Sequence, residues 1–384
     1  MNIEITKFVK QNEPAIISFW KDLVSMESGF LCKEELDKTC LFLKEAFEKI
    51  GGDVTIYPFD KAGNTLTAVF GDIPNKAPII LSGHYDTVFS KGTLEKRPFV
   101  IKNGKAYGPG VLDMKGGITI LYYVLQTLHH IGYTDRVIKV ILTGDEENSH
   151  PNSTAPHYVE EIAKGARAAF NFETSFENNL IVTARKGTAC LTVEIEGRGA
   201  HPGNDPEKGR NTILEAVQKI PDIQALNGKI EHVTFTIATI AGGTVSNAVP
   251  DYTQFQVDVR YAHLQDKEII EEQVKQVLSK TYIEGTHTKY QLKWGIPPME
   301  QSEKNDTLFA ELNKVYEENN LPLLTPLYCG GGADSAYESM VGTPVLCAVG
   351  VKGGRNHTPE EYALVDSIYE RIITISEVIT KLKI

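Results

Sequence analysis

The sequence has few cysteines, a deficit of positive charge and no long apolar run. Its five cysteines include no Cys-x-x-Cys pair, which argues against a disulfide framework or a sulfur metal site and favours a reducing compartment. Lys and Arg number 39 against 50 Asp and Glu, so the formal net charge is −11. Because an acidic surface repels nucleic-acid phosphates and anionic lipid, we expect neither nucleic acid nor a membrane as a partner.

The sequence also lacks recognisable targeting and membrane segments. No stretch approaches the roughly 20 apolar residues of a membrane-spanning helix, and the first residues, MNIEITKFVKQNEPAII, have no apolar signal region. We therefore expect a cytoplasmic protein. The 384 residues, 41% hydrophobic and 23% charged, are typical of a globular chain. At about 150 residues per domain, this length favours two or three domains.

Apolar strands alternate with amphipathic helices over much of the chain, which is typical of an α/β fold. We predict a mostly parallel central sheet with helices on both faces. The predicted strands are 77–82, 137–142, 168–172 and 343–349, and the predicted helices are 13–26, 33–50, 119–130, 158–164, 306–318 and 364–382.

The pattern changes to β-α-β-β-α-β over residues 186–297, which indicates an inserted ferredoxin-like module. Its predicted strands are 188–196, 232–240, 253–261 and 288–294, and its predicted helices are 210–220 and 267–280. We therefore predict a larger domain made of 1–185 and 298–384 and a smaller inserted domain of 186–297.

Histidine and carboxylate residues occur in five separate loops, and four of these loops directly follow predicted strands. The residues are His84 with Asp86, Asp113, the acidic run 145–147, Glu173 and His357. Because ligands bind at the carboxyl edge of parallel sheets, we expect one shared site.

Oxygen and imidazole ligands without sulfur suit Zn²⁺, Mn²⁺ or Co²⁺. Two metal ions about 3.5–4 Å apart can share a water and lower its pKa towards about 7. With Asp113 as a bridge, five residues suffice for both ions, namely His84, Asp113, Glu147, Glu173 and His357. Glu146 then remains as a general base, and Asp86 faces the same side as His84 and orients its imidazole.

Each residue taken alone has a simpler interpretation. Asp113 precedes a helix and suits an N-terminal cap. Glu146 and Glu147 suit a solvated acidic turn, and Glu173 suits the end of a surface strand. Single histidines are more often partly buried structural residues than ligands, so the metal hypothesis depends on the whole set.

Nine motifs, in order along nearly the whole chain, resemble the M20 family of metallopeptidases and most closely its glutamate carboxypeptidase (carboxypeptidase G2) branch. They are GHYDTV, AYGPGVLDMKGG, GDEE, NFET, GRGAHPG, SNAVP, DVRYA, GGGADSAY and NHTPEEY. The resemblance implies two Zn²⁺ per subunit, an inserted lid domain and a homodimer formed through that lid. It implies that His84 and Glu173 bind one zinc, His357 and Glu147 the other, Asp113 both, and that Glu146 is the base.

The resemblance also implies roles for the smaller domain and for a glycine loop. His201 resembles a lid histidine that steadies the oxyanion in a neighbouring active site, and Arg260 resembles the arginine that holds the substrate carboxylate. Asn247 resembles a lid residue that contacts substrate, and Gly331 and Gly332 resemble a loop beside the carboxylate pocket. Taken alone, His201 suits a turn and Arg260 a surface ion pair.

Three segments depart from the family pattern. NSHPNS follows the glutamate pair in place of a Gly-Ser turn, and we interpret its His150 as structural or surface. Ala333 replaces a common threonine, and Trp294 and Ile296 stand where the branch carries arginines. These departures leave specificity for a C-terminal glutamate open.

We therefore predict a two-zinc amide hydrolase that releases a C-terminal amino acid, glutamate-like, from a small peptide or N-acyl amino acid. An N-acyl-amino-acid deacylase or a dipeptidase of the same family is the nearest alternative. A non-catalytic peptide-binding or scaffolding dimer is an alternative from a different class.

Overall fold

The computed structural model describes residues 2–382, which form helices and strands in alternation. The helices are α1 (Ile3–Val24), α2 (Lys33–Lys49), α3 (Thr93–Lys96), α4 (Lys115–His130), α5 (Ala155–Ala163), α6 (Thr212–Gln224), α7 (Asp266–Leu278), α8 (Glu303–Glu318), α9 (Ser335–Met340) and α10 (Val365–Lys381). The strands are β1 (Asp53–Tyr57), β2 (Gly63–Phe70), β3 (Ile79–His84), β4 (Val100–Lys102), β5 (Lys105–Tyr107), β6 (Ile138–Gly144), β7 (Ala168–Asn171), β8 (Ser175–Phe176), β9 (Leu180–Arg185), β10 (Gly187–Glu196), β11 (Thr234–Gly242), β12 (Tyr252–Tyr261), β13 (His287–Trp294), β14 (Thr325–Cys329), β15 (Val345–Leu346), β16 (Lys352–Gly354) and β17 (Tyr362–Leu364).

These elements form two units. The first contains the described residues up to Ala184, Gln301–Tyr328 and those from Ala333 onward, and the second contains Arg185–Glu300 with Cys329–Gly332. The glycine loop therefore belongs to the second unit, whereas the sequence analysis placed it in the larger domain. The physical reason is local hydrogen bonding: Lys186 N donates to Cys329 O, and Arg185 donates to Gly331 O.

A six-stranded sheet forms the centre of the first unit, with the strand order β1-β2-β6-β3-β7-β15. Strands β6, β3, β7 and β15 run parallel to one another, and β2, which pairs antiparallel with β6, adds an antiparallel edge together with β1. Every residue of β3 is buried, as expected for a central parallel strand covered on both faces. The prediction of an α/β fold with a mostly parallel sheet is confirmed.

Three helices of the first unit, α1, α4 and α10, pack against one another. Helix α4 is buried over most of its length, and its apolar residues share a core with Leu81 of β3 and Phe170 of β7. Trp20 of α1 is fully buried, and its indole N–H donates to Val111 O at 3.2 Å. This packing fixes the glycine-rich loop that leads into α4, and Asp113 lies in that loop.

The second unit contains a four-stranded antiparallel sheet of order β11-β12-β10-β13. Buried and partly exposed residues alternate along β10, and Leu191, Val193 and Ile195 face the core. Together with α6 and α7, the chain order is β-α-β-β-α-β, as the sequence analysis predicted.

Several element limits differ from the predicted ones. Helix α1 begins ten residues before the predicted start, because Asn2 caps it by accepting a hydrogen bond from Glu4 N and because it continues through Pro14. The strand predicted over 343–349 is confined to Val345–Leu346. The short strands of two or three residues were not predicted, since such runs carry no readable periodicity.

Among residues 2–382, no helix is both long and apolar enough to cross a membrane.

Candidate metal centre

The loops that follow three neighbouring strands of the first unit bring the predicted ligands together. His84 ends β3, Glu146 and Glu147 lie in a 3₁₀ turn after β6, and Glu173 follows β7. Because these strands are parallel, their carboxyl ends meet at one edge of the sheet. Asp113 precedes α4, and His357 lies between β16 and β17.

A first ligand set consists of His84, Asp113 and Glu173, all buried. His84 Nε2 lies 3.3 Å from Asp113 Oδ1 and 3.2 Å from Glu173 Oε1. These three atoms converge on one point, as expected of ligands to a single metal ion.

A second ligand set consists of Asp113, Glu147 and His357. His357 Nε2 lies 3.1 Å from Asp113 Oδ2 and 3.2 Å from Glu147 Oε2. Asp113 thus turns one carboxylate oxygen to each histidine, which is the arrangement of a bridging ligand between two metal ions.

The donor atoms of this cluster fit a pair of metal ions. His84 Nε2, Asp113 Oδ1 and Glu147 Oε1 are buried and have no hydrogen-bond partner within residues 2–382. A buried polar atom without a partner costs about 1–3 kcal/mol, which a coordinated cation would offset. Imidazole and carboxylate donors without thiolate suit Zn²⁺, Co²⁺ or Mn²⁺.

Asp86 supports both the first ligand set and the turn beside it. His84 Nδ1 lies 3.3 Å from Asp86 Oδ1 and 3.1 Å from the Asp86 carbonyl oxygen. The same carboxylate accepts hydrogen bonds from the backbone amides of Glu146 at 3.2 Å and Glu147 at 3.0 Å. The sequence analysis predicted the orienting contact, whereas only the structure shows that Asp86 also holds the Glu146–Glu147 turn.

The remaining carboxylate, Glu146, lies at the edge of this cluster and is buried. Its Oε2 is 3.9 Å from His84 Nε2. Burial raises the pKa of Glu146 well above its usual range, and Glu173, Asp334 and Glu147 raise it further, while His84 opposes them. A buried carboxylate that is not in either ligand set and has a raised pKa is suited to moving a proton.

The carboxylates around His84 and His357 favour the protonated form of both imidazoles. Burial opposes protonation of His84, but the carboxylates of Glu173, Asp113 and Asp86 outweigh it and hold the pKa of His84 well above its ordinary value. Hydrogen bonds to Asp113 and Glu147 raise the pKa of His357 to about 10.

We expect metal loading at pH 7 to release about two protons from these imidazoles, because a ligating nitrogen must be deprotonated. The apparent metal affinity should consequently fall as the pH is lowered, since protons then compete for the same nitrogens. Calorimetric titration with zinc in two buffers of different ionisation enthalpy measures the protons released. Binding without proton release would show that the histidines are not ligands.

The sequence analysis included the segment NHTPEEY among the family motifs but assigned no role to its Glu361. The Glu361 carboxylate is fully buried and accepts hydrogen bonds from Leu112 N at 2.7 Å and Asp113 N at 3.1 Å. It therefore fixes the backbone at Asp113, which is joined to Met114 by a cis peptide bond. The contact joins positions almost 250 residues apart, so no local sequence signal could have shown it.

The other predicted site residues belong to the second unit. His201 is exposed, and its Nδ1 accepts hydrogen bonds from Gly203 N and Asn204 N, so the neutral ring carries its proton on Nε2. Asn247 is exposed between β11 and β12. His201 Nε2 is thus available in the donor form that an oxyanion requires.

Arg260 lies at the end of β12 beside the glycine loop of the same unit. Its guanidinium makes two hydrogen bonds to Asp258, at 2.7 and 2.9 Å, and Nη1 lies 3.4 Å from Gly330 O. Gly332 packs closely against Ile296, and a Cβ at that position would lie only 3.1 Å from Ile296 Cβ. The arrangement places a partly exposed arginine next to a bare backbone loop made of Gly330, Gly331 and Gly332.

Comparisons with known proteins show the family to which this chain is similar. The sequence model of peptidase family M20/M25/M40 matches residues 80–381. Carboxypeptidase G2 from Pseudomonas sp. (strain RS-16) is 28% identical over 377 residues, which cover 96% of this chain and 90% of that protein.

Solved structures show the same fold. Aminopeptidase PepT from Bacillus cereus ATCC 10987 superposes with a TM-score of 0.80 at 20% identity, covering 97% of this chain and 99% of the other. The Bacillus subtilis YXEP protein, a dinuclear metal binding peptidase from the M20 family, superposes with a TM-score of 0.71 at 13% identity, covering 96% and 98%.

Proposed function

The chain belongs to peptidase family M20/M25/M40, and from this membership we propose that it is a two-zinc hydrolase that releases a C-terminal amino acid from a small peptide or N-acyl amino acid. That it is a metallopeptidase of this family acting on peptide bonds follows from the family match and the carboxypeptidase relative. The two zinc ions, the C-terminal specificity and the individual residue roles are the proposal.

One observation carries the proposal: Asp113 shares its two carboxylate oxygens between two histidine-carboxylate sets, with Glu146 left over beside them. When bound, two zinc ions polarise the scissile carbonyl and lower the pKa of a water molecule. His84, Glu173 and Asp113 would hold one ion, and His357, Glu147 and Asp113 would hold the other.

The chain's own residues would then move the proton. Glu146 accepts a proton from the attacking water on a carboxylate oxygen and donates it to the leaving nitrogen as the amide bond breaks. Asp86 keeps the turn in place through both backbone amides, so that the Glu146 carboxylate stays beside the cluster. His201 contributes an Nε2–H donor for the oxyanion.

A substrate with a free α-carboxylate suits the second unit. A guanidinium binds a carboxylate through two parallel hydrogen bonds, and glycine backbone allows close approach. We propose that Arg260, Asn247, Gly331 and Gly332 bind that end of the substrate. To do so, Arg260 must exchange part of its contact with Asp258 for the substrate.

We expect Arg260→Ala to raise KM for a substrate with a free α-carboxylate by about 10–100-fold, because a charge-assisted pair contributes roughly 1.5–3 kcal/mol. The kcat value should change less. Steady-state kinetics with the free acid and with its C-terminal amide separate the two effects. Arg198→Ala, which changes an exposed arginine of the same unit, is the control. Equal KM values for Arg260→Ala and the native protein would contradict the role.

The test of the proposed function is mass spectrometry of the zinc-loaded protein with N-benzoyl-glutamate and folate-type conjugates, next to their C-terminal amides. Release of free glutamate from the acids alone supports a glutamate carboxypeptidase. Release of a free amino acid from other acyl amino acids or from dipeptides would indicate an N-acyl-amino-acid deacylase or a dipeptidase. Cleavage that needs a free N-terminus and tolerates the amide contradicts C-terminal recognition.

The non-catalytic alternative finds no support in the site. A binding or scaffolding protein has no need of the base or the ligands, yet Glu146 and all five ligand residues are present and adjacent. We also propose a cytoplasmic location, because all five cysteines are free thiols.

We further propose a homodimer formed through the second unit. Strand β11 is an edge strand, and most of its residues are exposed. Leu214 and Val217 of α6 and Ile240 of β11 are about half exposed, which is unusual for large apolar residues on a solvated surface. We expect sedimentation to give about twice the chain mass of 42.5 kDa and Val217→Asp to shift the protein to monomers. A native protein that sediments at the chain mass would contradict this.

A further inference from the structure

His150 lies buried between two carboxylates of the first unit. Its Nδ1 is 2.8 Å from Asp145 Oδ1, and its Nε2 is 2.6 Å from Asp334 Oδ1. The side chain is only 2% exposed. The sequence analysis left His150 as structural or surface, and its burial excludes the surface interpretation.

Both ring nitrogens must act as donors in this arrangement. An ionised carboxylate only accepts hydrogen bonds, so two carboxylate partners require N–H on both sides of the ring, which is the imidazolium form. Burial opposes that form, but Asp334 and Asp145 outweigh it and hold the pKa of His150 well above its ordinary value.

The three residues connect the turn of the proposed base to the rest of the first unit. Asp145 immediately precedes Glu146, and its Oδ1 also accepts a hydrogen bond from Ser153. Asp334 lies at the start of α9, and its Oδ2 accepts a hydrogen bond from Thr143 at the end of β6. His150 therefore connects Asp145, which precedes the Glu146–Glu147 turn, to Asp334, which lies at the start of α9.

The backbone around His150 also depends on these contacts. Ser149 and His150 both have positive φ, at 58° and 56°, a region that residues other than glycine seldom occupy. Such conformations persist where the surroundings fix them. Backbone hydrogen bonds from Ser149 N to Glu146 O and from His150 N to Asp145 O close this turn, and the contacts with Asp145 and Asp334 hold the His150 side chain.

We propose that His150 is a positioning residue, which holds Asp145 and Asp334 together and thereby sets the position of the Glu146–Glu147 turn. The inference rests on the proposed function, in which Glu146 moves the proton and Glu147 binds metal. Asp86 holds the turn by its backbone amides, and His150 holds the residue from which the turn starts. Without the imidazolium, the buried carboxylates of Asp145 and Asp334 would keep only the hydroxyls of Ser153 and Thr143 and no positive charge between them, and the turn would relax away from its ligand geometry.

The test is His150→Gln, with His157→Gln as the matched control. His157 is an exposed histidine on α5, seven residues further along. In the zinc-loaded His150→Gln variant, we expect kcat to fall at least tenfold, with KM within about twofold of the native value. We expect zinc to bind the Glu147–His357 position about tenfold more weakly, measured by chelator competition. The control should match the native protein in both measurements.

A solely structural role would give a different result. In that case His150→Gln would lower the melting temperature but leave kcat and zinc affinity at 25 °C unchanged, and the proposal would be overturned. Should His150→Gln fail to fold, the isosteric Asp334→Asn variant removes the negative charge that faces His150 Nε2 and carries the same expectations. If the native protein hydrolyses none of the substrates, the proposed function fails, while the zinc-affinity comparison still decides the role of His150.

Discussion

Glu146→Gln should lower kcat by about 10²–10⁴-fold while both zinc ions stay bound. Glutamine keeps the shape of the side chain but cannot accept the proton of the attacking water. The backbone amide of residue 146 still donates to Asp86, so the turn and the neighbouring ligand Glu147 keep their positions.

Zinc content and kcat, measured on the same preparation, check this expectation. Glu161→Gln on the exposed side of α5 is the control, since its side chain is 70% exposed and makes one contact at 3.9 Å. Native turnover in Glu146→Gln would remove this residue from the mechanism. Loss of a zinc ion would instead make Glu146 a ligand.

Asp113→Ala should remove both metal ions and lower kcat/KM by at least about 10³-fold, the equivalent of the several kcal/mol that metal ions contribute to the transition state. The reason is that each ligand set includes one oxygen of this carboxylate. His357→Ala touches the second set only, so we expect it to keep about one zinc ion.

The comparison of these two variants tests the bridge itself. Elemental analysis after dialysis should give close to zero zinc per chain for Asp113→Ala and close to one for His357→Ala. Asp306→Ala on α8 should retain both ions. If Asp113→Ala and His357→Ala keep the same amount of zinc, then Asp113 does not bridge.

Much of the first unit was predictable because the relevant signals are local. Strand β3 is an apolar run, and the proposed ligands His84, Glu147 and Glu173 lie at or just after the ends of β3, β6 and β7. A parallel sheet brings such loops to one edge whatever the details of packing. The prediction of a shared site therefore required only the strand assignments and the residue types.

The contacts that hold the site in place were not predictable in the same way. Glu361 and Asp334 reach Asp113 and His150 across 248 and 184 positions of the chain, and only the folded backbone sets those distances. The predicted start of α1 was also wrong, because the side chain that sets it, Asn2, lies outside the apolar pattern. Asp86 was predicted to orient His84 because it lies two positions away, whereas positioning residues that are far from their partners in the chain carry no such signal.

Whether two metal ions share Asp113 is measured most directly by the anomalous scattering of a zinc-loaded crystal, recorded on both sides of the zinc edge. We expect two peaks about 3.5–4 Å apart. One should lie at His84 and Glu173 and one at His357 and Glu147, with an oxygen of Asp113 at each. A single peak, or two peaks that do not share Asp113, would contradict it.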